Sequence, residues 1–381
     1  MHEADEDCDP KSVRSVSDAM SEITPEPKAS LAEVPLYVPK PPTASGGGES
    51  HRLYLNESPF PPLPSAQAVI AESASRAHLY PAIAPERLVH RLSEIHDVPP
   101  DCLATGPGSV GIYQQIGQAF LHDGDEVVYA WPSFEAFPIV ARIAGARPVP
   151  VPLTDHHHDL DALAAAVGPR TAAVFLCNPD NPSGTAFGDK ELDGFLDSVP
   201  TRTLVVVDDA YHEFALPGSG ASADAVAFAR RRPNVIALRT FSKAYSLAGL
   251  RVGYAVTASP IAQALRKCAV PCGVSDIAVQ AALVSLDAAG ELRARVEQIT
   301  AERERLTDGL AALGWPVVRS LANFVWLALG QSAAPVADAF QAAGLLVRAY
   351  PGEGVRVSVG TPDANDRVLA VAAGSMDGVL V

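Results

Sequence analysis

The stretch Arg239-Thr-Phe-Ser-Lys-Ala-Tyr-Ser-Leu-Ala-Gly-Leu-Arg251 decides how the rest of the chain is read. An apolar run, Val235-Ile-Ala-Leu238, precedes it and a second, Val252-Gly-Tyr-Ala-Val256, follows. Both read as buried strands. Lys243 therefore stands where a strand gives way to a loop, with the Ser242 hydroxyl beside it and Arg251 eight positions on. A primary amine among small and apolar residues loses hydration, its pKa falls, and its neutral form becomes a nucleophile. A Schiff-base lysine needs that setting; for a lone lysine, a solvated polar turn is the ordinary expectation.

Working outward, apolar runs alternate with helical patterns from Pro99 to Val270. The runs are Glu126–Tyr129, Ala146–Val151, Thr171–Leu176, Thr203–Val207 and the two that flank Lys243. Strands alternating with helices predict an α/β fold whose mostly parallel sheet is covered on both faces, with ligands at the carboxyl ends of the strands. Beyond Ser275 the pattern changes to long Ala/Arg/Glu-rich helices followed by short strands at Phe324–Leu327, Leu345–Arg348 and Val355–Val359. The expected organisation is an extension over 1–50, a large domain over 81–270, and a smaller α+β domain built from 51–80 plus 275–381.

Three further segments fall at expected strand ends. Gly106-Pro-Gly108-Ser109-Val110-Gly111 leads into a helical pattern, and glycines before a helix start let backbone N–H groups approach a phosphate. The same letters spell GxGxxG, a dinucleotide fingerprint. Against that reading, Pro107 removes a donor, the preceding strand is short, and Asp125 and Glu126 open a strand instead of closing one. Asn178-Pro-Asp-Asn181-Pro-Ser-Gly184 is a rigid turn. Asp208 and Asp209 follow four apolar residues, where an aspartate-capped turn competes with a catalytic carboxylate.

These segments, in their order, resemble those of fold-type I pyridoxal-phosphate (PLP) aminotransferases of class I/II, in particular the histidinol-phosphate and aromatic amino acid aminotransferase branch. The likeness covers residues 53 to 362. It implies PLP as cofactor, carried on Lys243. Asp208 would sit against the pyridine nitrogen, keeping it protonated so that the ring accepts electrons, and Asn181 and Tyr211 would bond the phenolic oxygen. Phe134 would stack on the ring, while Gly108, Ser109, Val110, Ser242 and Arg251 would hold the phosphate. Tyr80 would reach the cofactor phosphate of the other subunit, which implies a homodimer. The resemblance gives Arg356 the substrate α-carboxylate, a group suited to a planar guanidinium, with help from Asn323. It sets Asn56 near the substrate entrance and Arg348 at a distal anionic group; an exposed strand-edge charge is the competing account for Arg348. Asp209 stands where the family usually has Glu.

The implied reaction moves an amino group between an amino acid, aromatic or similar, and a 2-oxo acid such as 2-oxoglutarate, in amino acid biosynthesis. Gly108-Ser-Val-Gly111 and Ser58 depart from the usual histidinol-phosphate pattern, so that substrate ranks second, beside a specialised biosynthetic one. A PLP-dependent lyase or decarboxylase would use the same cofactor residues. A regulator would need a DNA-binding module, and the acidic first 50 residues offer no winged helix.

Bulk properties agree with this reading. A chain of 381 residues, 48% hydrophobic, can bury one large core and a smaller one. Net charge −15 argues against nucleic-acid or anionic-membrane partners. No apolar run is long enough to span a bilayer, and the N-terminal 50 residues lack the features of a signal or transit sequence. A cytoplasmic protein with reduced cysteines is expected. No metal site is expected: Cys268 and Cys272 flank a proline, and His156-His-His158 reads as an exposed loop. The apolar patch Val34–Val38 is a candidate docking segment.

Overall fold

Leu204–Asp208 forms a strand in which every residue is buried, as a sheet covered on both faces requires. It is the centre of a seven-stranded sheet in the computed structural model, which describes residues 26–35, 50–215 and 221–379. Most of the 1–50 extension, including residues 36–38 of the apolar patch, lies outside the described residues.

The strands, in chain order, are β1 (His51–Arg52), β2 (Leu103–Gly106), β3 (Glu126–Trp131), β4 (Arg147–Pro152), β5 (Thr171–Cys177), β6 (Leu204–Asp208), β7 (Val235–Thr240) and β8 (Gly253–Thr257). Five more strands follow: β9 (Val317–Val318), β10 (Phe324–Leu327), β11 (Leu345–Leu346), β12 (Arg348–Tyr350) and β13 (Gly354–Ser358). The large sheet has the order β2-β8-β7-β6-β5-β3-β4 and is parallel except at β8, which runs antiparallel to both neighbours. The connection from β7 to β8 contains a single 3-10 turn, Ala248–Leu250, and no crossover helix, so the chain folds straight back. This reversal places the start of β8, and Arg251 before it, at the same rim as the carboxyl ends of the parallel strands.

Alternation along the strands divides the interior into two layers. Val205 and Val207 of β6 join Val174 and Leu176 of β5 in one core. Leu204 and Val206 join Ala173, Phe175 and Cys177 in the other, with Tyr113 and Phe137 from the covering helices. The two-residue side-chain period then sends Asp208 to the Tyr113 side and Asp209 to the opposite side.

Strands β12-β13-β10-β9 form a separate antiparallel sheet, and β1 pairs in parallel with β11. Leu310, Val325, Phe340, Val355 and Val357 lie in the core beneath them. A fourth cluster, with Tyr211, Phe214 and Ala244 on one side and Ala322, Phe324 and Val359 on the other, joins this sheet to the rim that carries Lys243. The helix Pro64–Ser73 packs against Asp276–Asp287, and Leu63, Ala66, Ala278 and Ala281 bury against the large sheet.

Candidate active site

The rim of the large sheet faces β13 across a polar cluster centred on Lys243. Its Nζ donates to the carbonyls of Leu55 and Asn56, both at 3.1 Å, and lies 5.8 Å from the centre of the Tyr211 ring. The Lys243 side chain is half-buried. Loss of hydration, with the nearby Arg356 charge, pushes its pKa down to about 7 against the opposing effects of Glu57 and Asp208.

Asp208 is 2% exposed. Its carboxylate accepts from the Ala210 N–H at 3.2 Å, and burial drives its pKa up to about 7, although Tyr113 and Lys243 pull it the other way. The Tyr113 hydroxyl is held near this carboxylate without a hydrogen bond of ordinary geometry. Asp209 turns to the other side, where Arg239 donates to it from Nε at 3.1 Å. One acid of the pair thus faces the cluster and the other anchors the strand end.

Tyr211 receives a hydrogen bond from Asn56 Nδ2 at 2.9 Å, and burial raises its phenol far above the ordinary value. Asn56 is in the left-handed region, φ 53°, held by Ser358 Oγ through its backbone N–H (2.9 Å) and its side-chain oxygen (3.1 Å). Asn323 Nδ2 donates to the Asn56 carbonyl at 3.1 Å.

Arg356, 5% exposed on β13, donates to Asn181 Oδ1, to Tyr350 Oη at 3.1 Å and to the Tyr54 carbonyl at 2.6 Å. Its Nε and the Asn323 side-chain oxygen are buried without partners. Burial pushes the Tyr350 phenol up to about 12. Gly184 (φ 76°) lets the Asn181 turn approach the small sheet: a Cβ there would stand 2.1 Å from Ser320 Oγ, and the Gly184 carbonyl accepts from Leu321 N–H at 2.7 Å.

A cationic cradle lies at the start of the helix Gly108–Phe120, which begins at Gly108 and not, as its apolar pattern suggests, at Ile112. Arg251 donates to Ser242 Oγ at 3.2 Å and to the Pro107 carbonyl at 3.2 Å. Gly108 has φ 75°, and a Cβ on it would lie 2.1 Å from the Arg251 guanidinium. Gly253 is as restricted, since its Cβ would come within 3.0 Å of Ser109 N. Ser109 and Val110 occupy the first helical turn, where N–H groups lack intrahelical acceptors. Phe134 packs edge-on against Phe137 and 6.4 Å from Tyr113.

Lys243, Asp208, Tyr211, Asn181, Asn56, Asn323 and Arg356 are therefore gathered in one place, with Gly108, Ser109, Val110, Ser242 and Arg251 in the adjoining cradle. Tyr80 stands apart from these residues in being 92% exposed; Leu79, Ile83 and Val270 are 59%, 80% and 68% exposed. Arg348 pairs with Glu135 at 2.5 Å.

Several neighbours were not singled out in the sequence. Tyr113 follows Ser109 by four positions, one helical turn on the same face, which is a readable signal. Tyr350, Ser358 and Glu135 carry none. The histidine triplet departs from the exposed-loop expectation: the His158 side chain is 2% exposed and bonds Asp180 Oδ1 at 3.1 Å. Asp180 also accepts from Ser133 Oγ at 2.6 Å and Ser183 Oγ at 2.9 Å. A buried carboxylate needs such donors, and His158 is drawn inward to supply one. The cluster fastens the turn bearing Asn181 to the one bearing Phe134. Among the described residues, no group of three or more His, Cys, Asp or Glu side chains is placed to hold a metal ion, and no helix is long and apolar enough to cross a membrane.

Comparison with known proteins agrees with this architecture. The chain is 51% identical over 354 residues to an aromatic amino acid aminotransferase of Streptomyces coelicolor, covering 93% of this chain and 98% of that one. It is 50% identical over 353 residues to the protein of the same name from Streptomyces avermitilis, with 92% and 98% covered. Among solved structures, histidinol-phosphate aminotransferase from Sinorhizobium meliloti in complex with pyridoxal-5'-phosphate superposes with TM-score 0.84 at 30% identity, covering 94% of this chain and 99% of that one. The fold is that of the fold-type I aminotransferases. The family model for aminotransferase class I and II matches residues 52–372, and the chain belongs to that family.

Proposed function

We propose that this aminotransferase uses PLP and acts on aromatic or similar amino acids and their 2-oxo acids, as a homodimer in the cytoplasm. The observation that carries the reading is the half-buried Lys243 amine, with its pKa pushed down to about 7, grouped with the buried Asp208 carboxylate on one strand rim. The donor set suits the cofactor. Asp208 is an uncharged-prone acid with a single N–H donor, and a pyridinium would give it the cation it lacks. The glycine-lined cradle beneath Arg251 and Ser242 suits a phosphate dianion.

Lys243 would hold the cofactor's carbonyl carbon, Asp208 its ring nitrogen and Tyr211 with Asn181 its phenolic oxygen; Phe134 would stack on it. Ser109, Val110, Ser242 and Arg251 would hold its phosphate over Gly108. When bound, PLP supplies an electron-accepting ring that stabilises the charge left when the substrate Cα–H bond breaks. The protein does the rest. Arg356 binds the substrate α-carboxylate with its free Nε, the Asn323 amide stands beside it, and the neutral Lys243 amine takes the proton from the substrate Cα. Asn56 orients the Tyr211 phenol. The apolar patch of Leu79, Tyr80, Ile83 and Val270 suits a subunit interface through which Tyr80 reaches the second site.

Aromatic preference rests on the two relatives at about half identity. Assay of the PLP-loaded protein against phenylpyruvate and imidazole-acetol phosphate, with glutamate as donor, tests it. Phenylpyruvate should be converted faster; much faster conversion of the phosphate ester refutes the preference, and no transfer to any 2-oxo acid refutes the activity.

A further inference from the structure

Arg348 and Arg356 are directly opposite each other in the antiparallel β12–β13 pair, so their side chains leave the same face of the small sheet. Two guanidinium groups so placed repel each other unless anions or acceptors intervene. Arg356 donates from its two terminal nitrogens to Asn181, Tyr350 and the Tyr54 carbonyl. Arg348 lies in an ion pair with Glu135, at 2.5 Å, and the two side chains are 45% and 43% exposed. Glu135 follows Phe134, so this contact bridges the small sheet to the turn that carries the candidate stacking ring. An exposed pair of this kind adds at most about 1 kcal/mol to stability, so parting it costs little. Its position matters more: Arg348 lies directly across the strand pair from the arginine assigned to the α-carboxylate and on the same face of the sheet, within the length of a small dicarboxylate of about five carbons.

We propose that Glu135 is a specificity-determining residue that occupies Arg348 and biases the site against substrates with a second negative charge. This inference rests on the aminotransferase site described above. A neutral side chain enters while the Glu135–Arg348 pair stays closed. A substrate with a distal carboxylate or phosphate binds Arg348 only by parting it from Glu135, and meets the Glu135 charge beside it. A dicarboxylic acceptor is admitted, but at lower affinity than Arg348 alone would give.

The test uses PLP-loaded protein and two unreactive acids, 3-phenylpropionate and glutarate, with binding measured by calorimetry. Glu135→Gln should raise affinity for glutarate about tenfold and leave that for 3-phenylpropionate within about twofold; Glu135→Asp should restore the original ratio. Arg348→Gln in the Glu135→Gln background should abolish the gain. In the half-reaction followed by cofactor absorbance, KM for L-glutamate should fall in Glu135→Gln while kcat and the constants for L-phenylalanine hold. An unchanged ratio, or an equal loss for both acids, overturns the proposal while leaving the aminotransferase site intact. Failure of the wild type to bind either acid overturns the site reading, and the proposal with it.

Discussion

Replacing Asp208 with Asn should stabilise the cofactor-free protein while destroying its activity, with a pH dependence that identifies the cause. The folded protein raises the Asp208 pKa from 3.8 to about 7, mainly by burial. Between those pH values the unfolded chain releases a proton that the folded chain keeps, so the wild type loses stability as pH rises from about 4 to about 7 and loses no more above that. Three units at about 1.4 kcal/mol each set an upper bound of about 4 kcal/mol. Asn is close in shape, and its side-chain oxygen can still accept from the Ala210 N–H. The assay is the difference in melting temperature between Asp208→Asn and wild type, both free of PLP, from pH 5 to 8.5. The difference should grow with pH to a plateau near 7 to 8, and saturating PLP should reverse its sign at pH 8, because only the wild type gains a charged partner. A flat or falling difference refutes the argument that a buried, poorly compensated carboxylate awaits a cation here.

Other expectations follow from the same geometry. Lys243→Ala should abolish turnover and the cofactor's bound absorbance. Because folding lowers the Lys243 pKa from 10.5 to about 7, the variant should be more stable than wild type below pH 7, with the advantage shrinking as pH approaches 10 in thermal melts. Gly108→Ala forces a Cβ onto a left-handed residue, costing about 1–2 kcal/mol, and drives it into Arg251; titration should show a folded protein that binds PLP at least about tenfold more weakly. His158→Phe keeps the packing on Phe187 but removes a donor to buried Asp180. Stability should fall by about 1–3 kcal/mol, and KM should rise more than kcat falls as the Asn181 turn loosens.

The fold was legible because each apolar run had a consistent period and each ended in turn chemistry. All six runs of the large sheet became strands, with ends shifted by a residue or two. The direction of β8 was not legible, since a strand's apolar pattern is the same read either way; the missing crossover helix was the only cue. The site was legible where chain neighbours supply it, as at Ser242-Lys243 and Asp208. It was not where the chemistry comes from contacts far apart in sequence. Tyr350 meets Arg356 only through the β12–β13 register, and Glu135 meets Arg348 across 213 positions. His158 misled because a polar triplet looks solvated until the buried acid it serves is known.

The hairpin-like return from β7 into β8 has a consequence for how this enzyme can change over evolution. One uninterrupted segment, 242 to 251, carries both the Lys243 amine and the Arg251 guanidinium, so their spacing is set by covalent connectivity rather than by docking of separate parts. Insertions or deletions between those two positions would displace the amine and the guanidinium from each other in a single event. Length variation among descendants of this chain should therefore be confined elsewhere, leaving this loop constant in size even where its letters drift.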